Sequence, residues 1–145
     1  MKACKIYKTK ENYKIITLYK TDTGTYVSDT PIFIISISDD TEELGKRVAE
    51  SLAASKLISY PKENISKKVL KEMKESSFKK LYSNSISCGL FLDKEKLEVI
   101  PYKCIDPEKG LDEDSERIQY FDYGKIDEIE LGGIISKILN ESIFL

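Results

Sequence analysis

The sequence contains no histidine and no tryptophan. Without an imidazole, the chain cannot assemble Ser-His-Asp or Cys-His nucleophilic systems, a histidine general base or the usual catalytic zinc centre. Arginine is scarce: Arg47 and Arg117 are the only two among 23 basic residues, whereas specific nucleic-acid readers use arginine for bidentate base contacts. Long apolar runs are missing as well. The longest, Ile32 to Ile35, then Ser36 and Ile37, is far below the roughly 20 apolar residues of a membrane helix. The opening Met1-Lys2-Ala3-Cys4-Lys5 has no apolar stretch behind its charge, so no signal peptide is expected and the cytoplasm is the expected compartment. Three cysteines, Cys4, Cys88 and Cys104, are an odd number set far apart. They support neither a disulfide framework nor a C-x-x-C metal site and read as small buried hydrophobes. No G-x-x-x-x-G-K-[ST] or G-x-G-x-x-G string occurs among the seven glycines, which removes the common phosphate loops. No metal, cofactor or catalytic residue is expected.

What is present fits one folded domain over residues 1–145. Hydrophobic residues make up 41% and charged residues 33%, enough to bury a core and too apolar for a disordered chain. The net charge of −2 is unevenly spread. Residues 1–20 hold six lysines against Glu11, a net +5, and residues 106–130 hold ten acids against Lys109, Arg117 and Lys125, a net −7. Such asymmetry makes a field that steers a charged partner. Paired carboxylates occur at Asp39-Asp40, Glu42-Glu43 and Asp112-Glu113-Asp114. Glycosidase chemistry needs two of them about 5–10 Å apart in a cleft; their crowding into caps and a loop reads as capping and solvation.

Along the chain, residues 3–37 alternate as strands, with Asp22-Thr23-Gly24 supplying turn chemistry. The run Pro31 to Ile37 is β-branched and apolar on both faces, the pattern of a central strand covered on both sides. Asp39, Asp40 and Thr41 offer N-caps for a helix whose buried stripe is Leu44, Val48 and Leu52. A second helix is expected from Ser66 to Leu81, with Val69, Leu70, Met73 and Leu81 inward and lysines outward. A hairpin over 85–104 follows, then a polar acidic loop over 106–116, a strand over 117–123 and a last helix from Asp127 striped by Leu131, Ile134, Ile135, Ile138 and Leu139. The expected fold class is α+β: a largely antiparallel or mixed sheet of about five to six strands packed with three main helices.

An internal echo stands out. Asp40-x-x-Glu43-Leu44-Gly45-x-x-Val48-x-x-x-Leu52 recurs as Asp127-x-x-Glu130-Leu131-Gly132-x-x-Ile135-x-x-x-Leu139. A glycine in a helix costs roughly 1 kcal/mol relative to alanine, so two at matching places suggest a shared reason, such as close approach of helix to sheet. A strand–helix pseudo-repeat over 30–57 and 117–142 is the corresponding expectation.

Two surfaces could bind. The second helix and its approach carry Lys62, Lys67, Lys68, Lys71, Lys74, Lys79 and Lys80, a basic face for a nucleic-acid-associated or regulatory module over 66–81, or simply a solvated face. Nine tyrosines include Tyr7, Tyr13, Tyr19 and Tyr26 in the N-terminal strands and Tyr120 and Tyr123 near the acidic loop. Tyrosine anchors interfaces by burying area while keeping a hydroxyl, and sheet-face or core tyrosines are equally ordinary.

The order of these segments resembles a family. Thr30-Pro31-Ile32-Phe33-Ile34-Ile35-Ser36-Ile37-Ser38 runs into Asp39-Asp40-x-x-Glu43-Leu44-Gly45-x-x-Val48-x-x-x-Leu52-x-x-Ser55; Leu90-Phe91-Leu92 and Val99-Ile100-Pro101 follow, and Glu130-Leu131-Gly132 opens an apolar helix. Over residues 30–140 this is similar to the immunity proteins of bacterial contact-dependent growth inhibition systems. The resemblance implies function by occlusion: binding the C-terminal domain of a cognate toxin, often a nuclease, as a monomer in a one-to-one complex, without direct nucleic-acid or membrane contact. The family does not transfer binding residues, because partners differ between members. Charge and aromaticity alone nominate Asp106, Glu108, Asp112, Glu113, Asp114, Glu116, Tyr120 and Tyr123.

Overall fold

The alternating N-terminal third folds into three consecutive antiparallel strands, β1 (Lys2–Lys8), β2 (Asn12–Thr21) and β3 (Tyr26–Ser36), in a computed structural model that describes residues 1–141. Gly24 turns β2 into β3 at φ +88, a backbone region that costs other residues a steric clash. After helix α1 (Thr41–Ala54) and the short β4 (Leu57–Ile58) come helices α2 (Ser66–Glu72) and α3 (Phe78–Ser83). The hairpin β5 (Ile86–Asp93) and β6 (Lys96–Lys103), the short β7 (Asp112–Glu113), β8 (Gln119–Asp122) and helix α4 (Glu128–Glu141) complete the fold. Eight strands form one sheet in the order β3-β2-β1-β5-β6-β7, with β4 beside β2 and β8 beside β6. All pairs are antiparallel except β2 with β4. The class is α+β, as expected. The sheet exceeds the expected strand number by the two-residue strands β4 and β7, too short to carry a periodic signal.

Three expectations change. The Pro31–Ile37 run belongs to an edge strand, not a central one: β1 and β5 hold the middle. Ile16 pairs with Ile32 and Thr17 with Asp29, so Thr30 and Pro31 bulge out of the ladder. Proline, lacking an N–H, sits at such an edge bulge without cost to a neighbour. The Tyr19 hydroxyl donates to the Thr30 carbonyl (2.5 Å) and the Thr17 hydroxyl to that of Pro31 (2.8 Å), which replaces the missing ladder bonds. β3 is apolar on both faces because Phe33 packs towards α1 and α4 while Ile32 packs towards α2.

The second helix is two helices. After α2 the Glu75 N–H bonds the Leu70 carbonyl (2.9 Å) and the Lys74 N–H that of Lys71 (3.1 Å), with Lys74 at φ 59. This is a Schellman stop with lysine in the usual glycine position. Ser77 then caps α3 by accepting from the Lys80 N–H (3.1 Å).

The two helical glycines have a different reason from the one expected. A Cβ on Gly45 would lie 1.7 Å from the Glu128 carbonyl oxygen, and one on Gly132 would lie 1.7 Å from that of Thr41. The close approach is helix to helix: α1 and α4 cross backbone to backbone. Each helix is capped alike, Asp40 accepting from the Glu43 N–H (2.9 Å) and Asp127 from that of Glu130 (2.8 Å). Of the expected second repeat unit and the expected domain, residues 142–145 lie outside the described residues.

The α1–α4 pair covers one sheet face over Cys4, Ile6, Ile15, Cys88, Leu90, Leu97 and Val99, meeting it with Leu44, Val48, Leu52, Leu131, Ile135 and Leu139. On the other face α2 and α3 cover Tyr7 and Ile16 with Val69, Met73 and Leu81. Tyr7, Tyr13 and Tyr19 are buried.

Candidate functional site

The chain from 112 to 122 forms one outer border of the sheet, in two pieces along β6. In β7, Asp112 pairs with Lys103 and Glu113 with Tyr102; in β8, Gln119 to Asp122 pair with Val99 to Lys96. Between them a 3-10 turn, Ser115–Arg117, bulges outward. A run of acids at 112–116 suits a sheet edge, where charged side chains block further strand pairing.

Asp112, Glu113 and Glu116 are exposed on this border. Asp114 is half-buried, its N–H bonding the Pro101 carbonyl (2.8 Å) and its carboxylate 3.8 Å from Arg117, so it helps hold the bulge. Asp106 organises the preceding loop by accepting from the Glu108 N–H (3.0 Å). Glu108 reaches Lys79 on α3 (2.8 Å), an exposed pair worth little to stability. Burial, then the charges of Asp106 and Asp112, raises the pKa of the Cys104 thiol.

Of the two nominated tyrosines, one lies on the β8 piece of this border and the other at the edge of the core. Tyr120 is exposed on β8 opposite its register partner Glu98, with Lys96 Nζ 4.6 Å from its ring centre. The Glu98 bond and charge raise its pKa. It lines a shallow cleft of about 380 Å³ with Glu95, Lys96, Phe121 and Asp122. Tyr123 is half-buried and packs against the core under α1 and α4, where burial first, then Cys4 and Glu128, raises its pKa.

Sequence reasoning missed an aromatic patch on the second sheet face, beyond the reach of α2 and α3. Tyr26 meets Phe91 edge-to-face with ring centres 5.3 Å apart. Tyr102 lies across β5 at Gly89, where an added Cβ would come within 2.6 Å of its hydroxyl. Lys5 Nζ stands 4.8 Å from the Tyr102 ring centre. Burial lowers the Lys5 pKa, and burial, Glu113, Cys88 and Glu98 raise that of Tyr102. Because Tyr102 is the register partner of Glu113, the patch joins the acidic border. Its signal was Phe91 and Glu98 alternating with core Leu90, Leu92, Leu97 and Val99; what could not be read was that two short helices would leave that face partly bare.

The lysine face of residues 66–81 is not one surface. It is split at Lys74, and Lys68 is paired with Asp29 (3.1 Å) and Lys79 with Glu108. Among the described residues no group of His, Cys, Asp and Glu is arranged to hold a metal ion, and no helix is long and apolar enough to cross a membrane.

No protein-family model and no curated protein matches the sequence. Solved structures share its fold. A protein of unknown function from Neisseria meningitidis superposes with a TM-score of 0.78 at 18% identity, over 98% of this chain and 95% of that one. A chain of a CdiA-CT/CdiI toxin and immunity complex from Yersinia pseudotuberculosis superposes with a TM-score of 0.69 at 12% identity, over 96% of this chain and 95% of that one.

Proposed function

We propose that this chain is an immunity protein of a contact-dependent growth inhibition system, which neutralises a cognate toxin domain by binding it and occluding its active site. The observation that carries the reading is the end-to-end correspondence, 96% of the chain, with a chain of a toxin and immunity complex. The toxin is a nuclease in this account. A nuclease site is electropositive because it holds phosphates, and the border carrying Asp112, Glu113 and Glu116 offers the complementary charge. Complementarity of this kind raises association rates by orders of magnitude, and Tyr120 and Tyr102 beside it supply contact area that slows release. The chain performs no chemistry itself, needs no cofactor and acts in the cytoplasm as one copy per toxin.

The test is charge reversal on the border. Asp112→Lys, Glu113→Lys and Glu116→Lys are all at exposed positions, so the triple variant folds, and its affinity for the toxin domain encoded beside it drops by about 100-fold or more, mostly through slower association at low salt. The comparator Lys67→Glu/Lys71→Glu leaves that affinity unchanged. Loss of binding in the comparator alone would move the interface to α2 and refute the border assignment.

A further inference from the structure

A second cleft, of about 760 Å³, opens at the end of the sheet between the β1–β2 turn and the α2–α3 junction. Its charged lining is Lys8, Lys10, Lys14 and Lys74 against Glu11 and Glu75, a net +2. Lys14 is the centre of it. Only 4% of the residue is exposed, yet its ammonium spends two of three donors, on the Met73 carbonyl (2.7 Å) and the Glu75 carboxylate (3.0 Å). Its charge is paired, and one N–H beyond these two bonds remains at the cleft. Lys74 reaches the same cleft from a left-handed backbone position (φ 59) where glycine would be the relaxed choice. Lysine there adds a further cation to the lining.

We propose that this cleft binds a small ligand bearing a phosphate monoester. Above its second pKa of about 6 that group carries a charge close to −2, matching the lining. The volume falls in the usual range of small-molecule sites, roughly 300–1,000 Å³. The lining contains no aromatic ring, so recognition rests on the phosphate rather than on a stacked base. The site is separate from the acidic border and independent of toxin binding.

The experiment is a titration of the full chain, with amide NMR shifts as the readout and inorganic phosphate, glucose 6-phosphate and AMP as probes. The expected result is saturable shifts confined to residues 8–14, 74–75 and 83–86, with Kd at or below about 1 mM. Affinity falls severalfold as pH drops from 7 to about 5, where the phosphate loses its second charge. Lys10→Glu and Lys74→Gly, both at exposed positions, each weaken binding about fivefold; the glycine variant relieves the left-handed strain, so its loss of affinity is not a loss of fold. Saturation by the two esters but not by inorganic phosphate places part of the affinity in the sugar. Absence of saturable shifts with all three probes, or shifts untouched in both variants, overturns the proposal.

Discussion

Ser55 and Lys2 together fasten the end of α1 to the middle of the sheet. The Ser55 hydroxyl donates to the Leu18 carbonyl (2.5 Å) and accepts from the Ala3 N–H (2.9 Å), both in the interior. Lys2 Nζ donates to the carbonyls of Ala53 (3.2 Å) and Ser55 (2.8 Å), bringing to the helix C-terminus a positive charge that its own last turn lacks. Ser55→Ala leaves a buried donor and acceptor unpaired and costs about 1–3 kcal/mol in urea unfolding. Lys2→Ala costs less, about 0.5 kcal/mol. The cysteines make a second residue-scale prediction. Cys4 and Cys88 are wholly buried, and burial pushes the Cys88 thiol up to about 12 and Cys4 higher. In the native protein a thiol reagent therefore titrates Cys104 alone, and all three after unfolding. The folded state holds these two protons more tightly than the unfolded chain does. Their contribution to stability is therefore intact below the ordinary thiol value of about 8.5 and is lost as pH rises from there towards 12.

At the scale of elements, the α1–α4 crossing is the tightest constraint. Gly45→Ala or Gly132→Ala drives a methyl group into the facing carbonyl, 1.7 Å away, and must spread the helices; each costs about 3 kcal/mol. Gly133→Ala, next in the chain, meets nothing within 4 Å and instead stabilises α4 by about 0.5–1 kcal/mol. Thermal unfolding of the three variants distinguishes this helix-to-helix origin from a generic glycine penalty, which would give all three the same sign. Both glycines were legible in the sequence as a paired cost; their partner was not, because an echo between two helices says nothing of which surface each one faces. Strands and caps were legible through alternation and through Asp40 and Asp127. The stop at Lys74 was not, since lysine is not a C-cap signal and the apolar spacing of Val69, Met73 and Leu81 continues across the break. The edge position of β3 was hidden for a similar reason: two-sided burial by helices on opposite faces gives the same pattern in an edge strand as in a central one.

For the molecule as a whole, charge is arranged across one end of the sheet. The register runs from Lys14 through Tyr7 and Ser87 to Tyr102 and then Glu113, so the centre of the lysine cleft and the acidic border are separated by four strand spacings, roughly 19 Å. The composition announced both poles as a lysine-rich start and an acid-rich stretch; only the fold brings them side by side. Of the eight nominated residues, the exposed acids Asp112, Glu113 and Glu116 form the border, whereas Asp106 and Asp114 shape the backbone and Tyr123 fills the core edge. A polar run shows its charge in sequence but not which carboxylates are spent on its own turns.

The most direct measurement is co-expression of this chain with the product encoded immediately beside it, followed by growth and by co-purification through a tag on that product. The account predicts restored growth and a one-to-one complex that survives purification. A toxin that still kills, and elutes alone from cells making abundant folded protein, would contradict it.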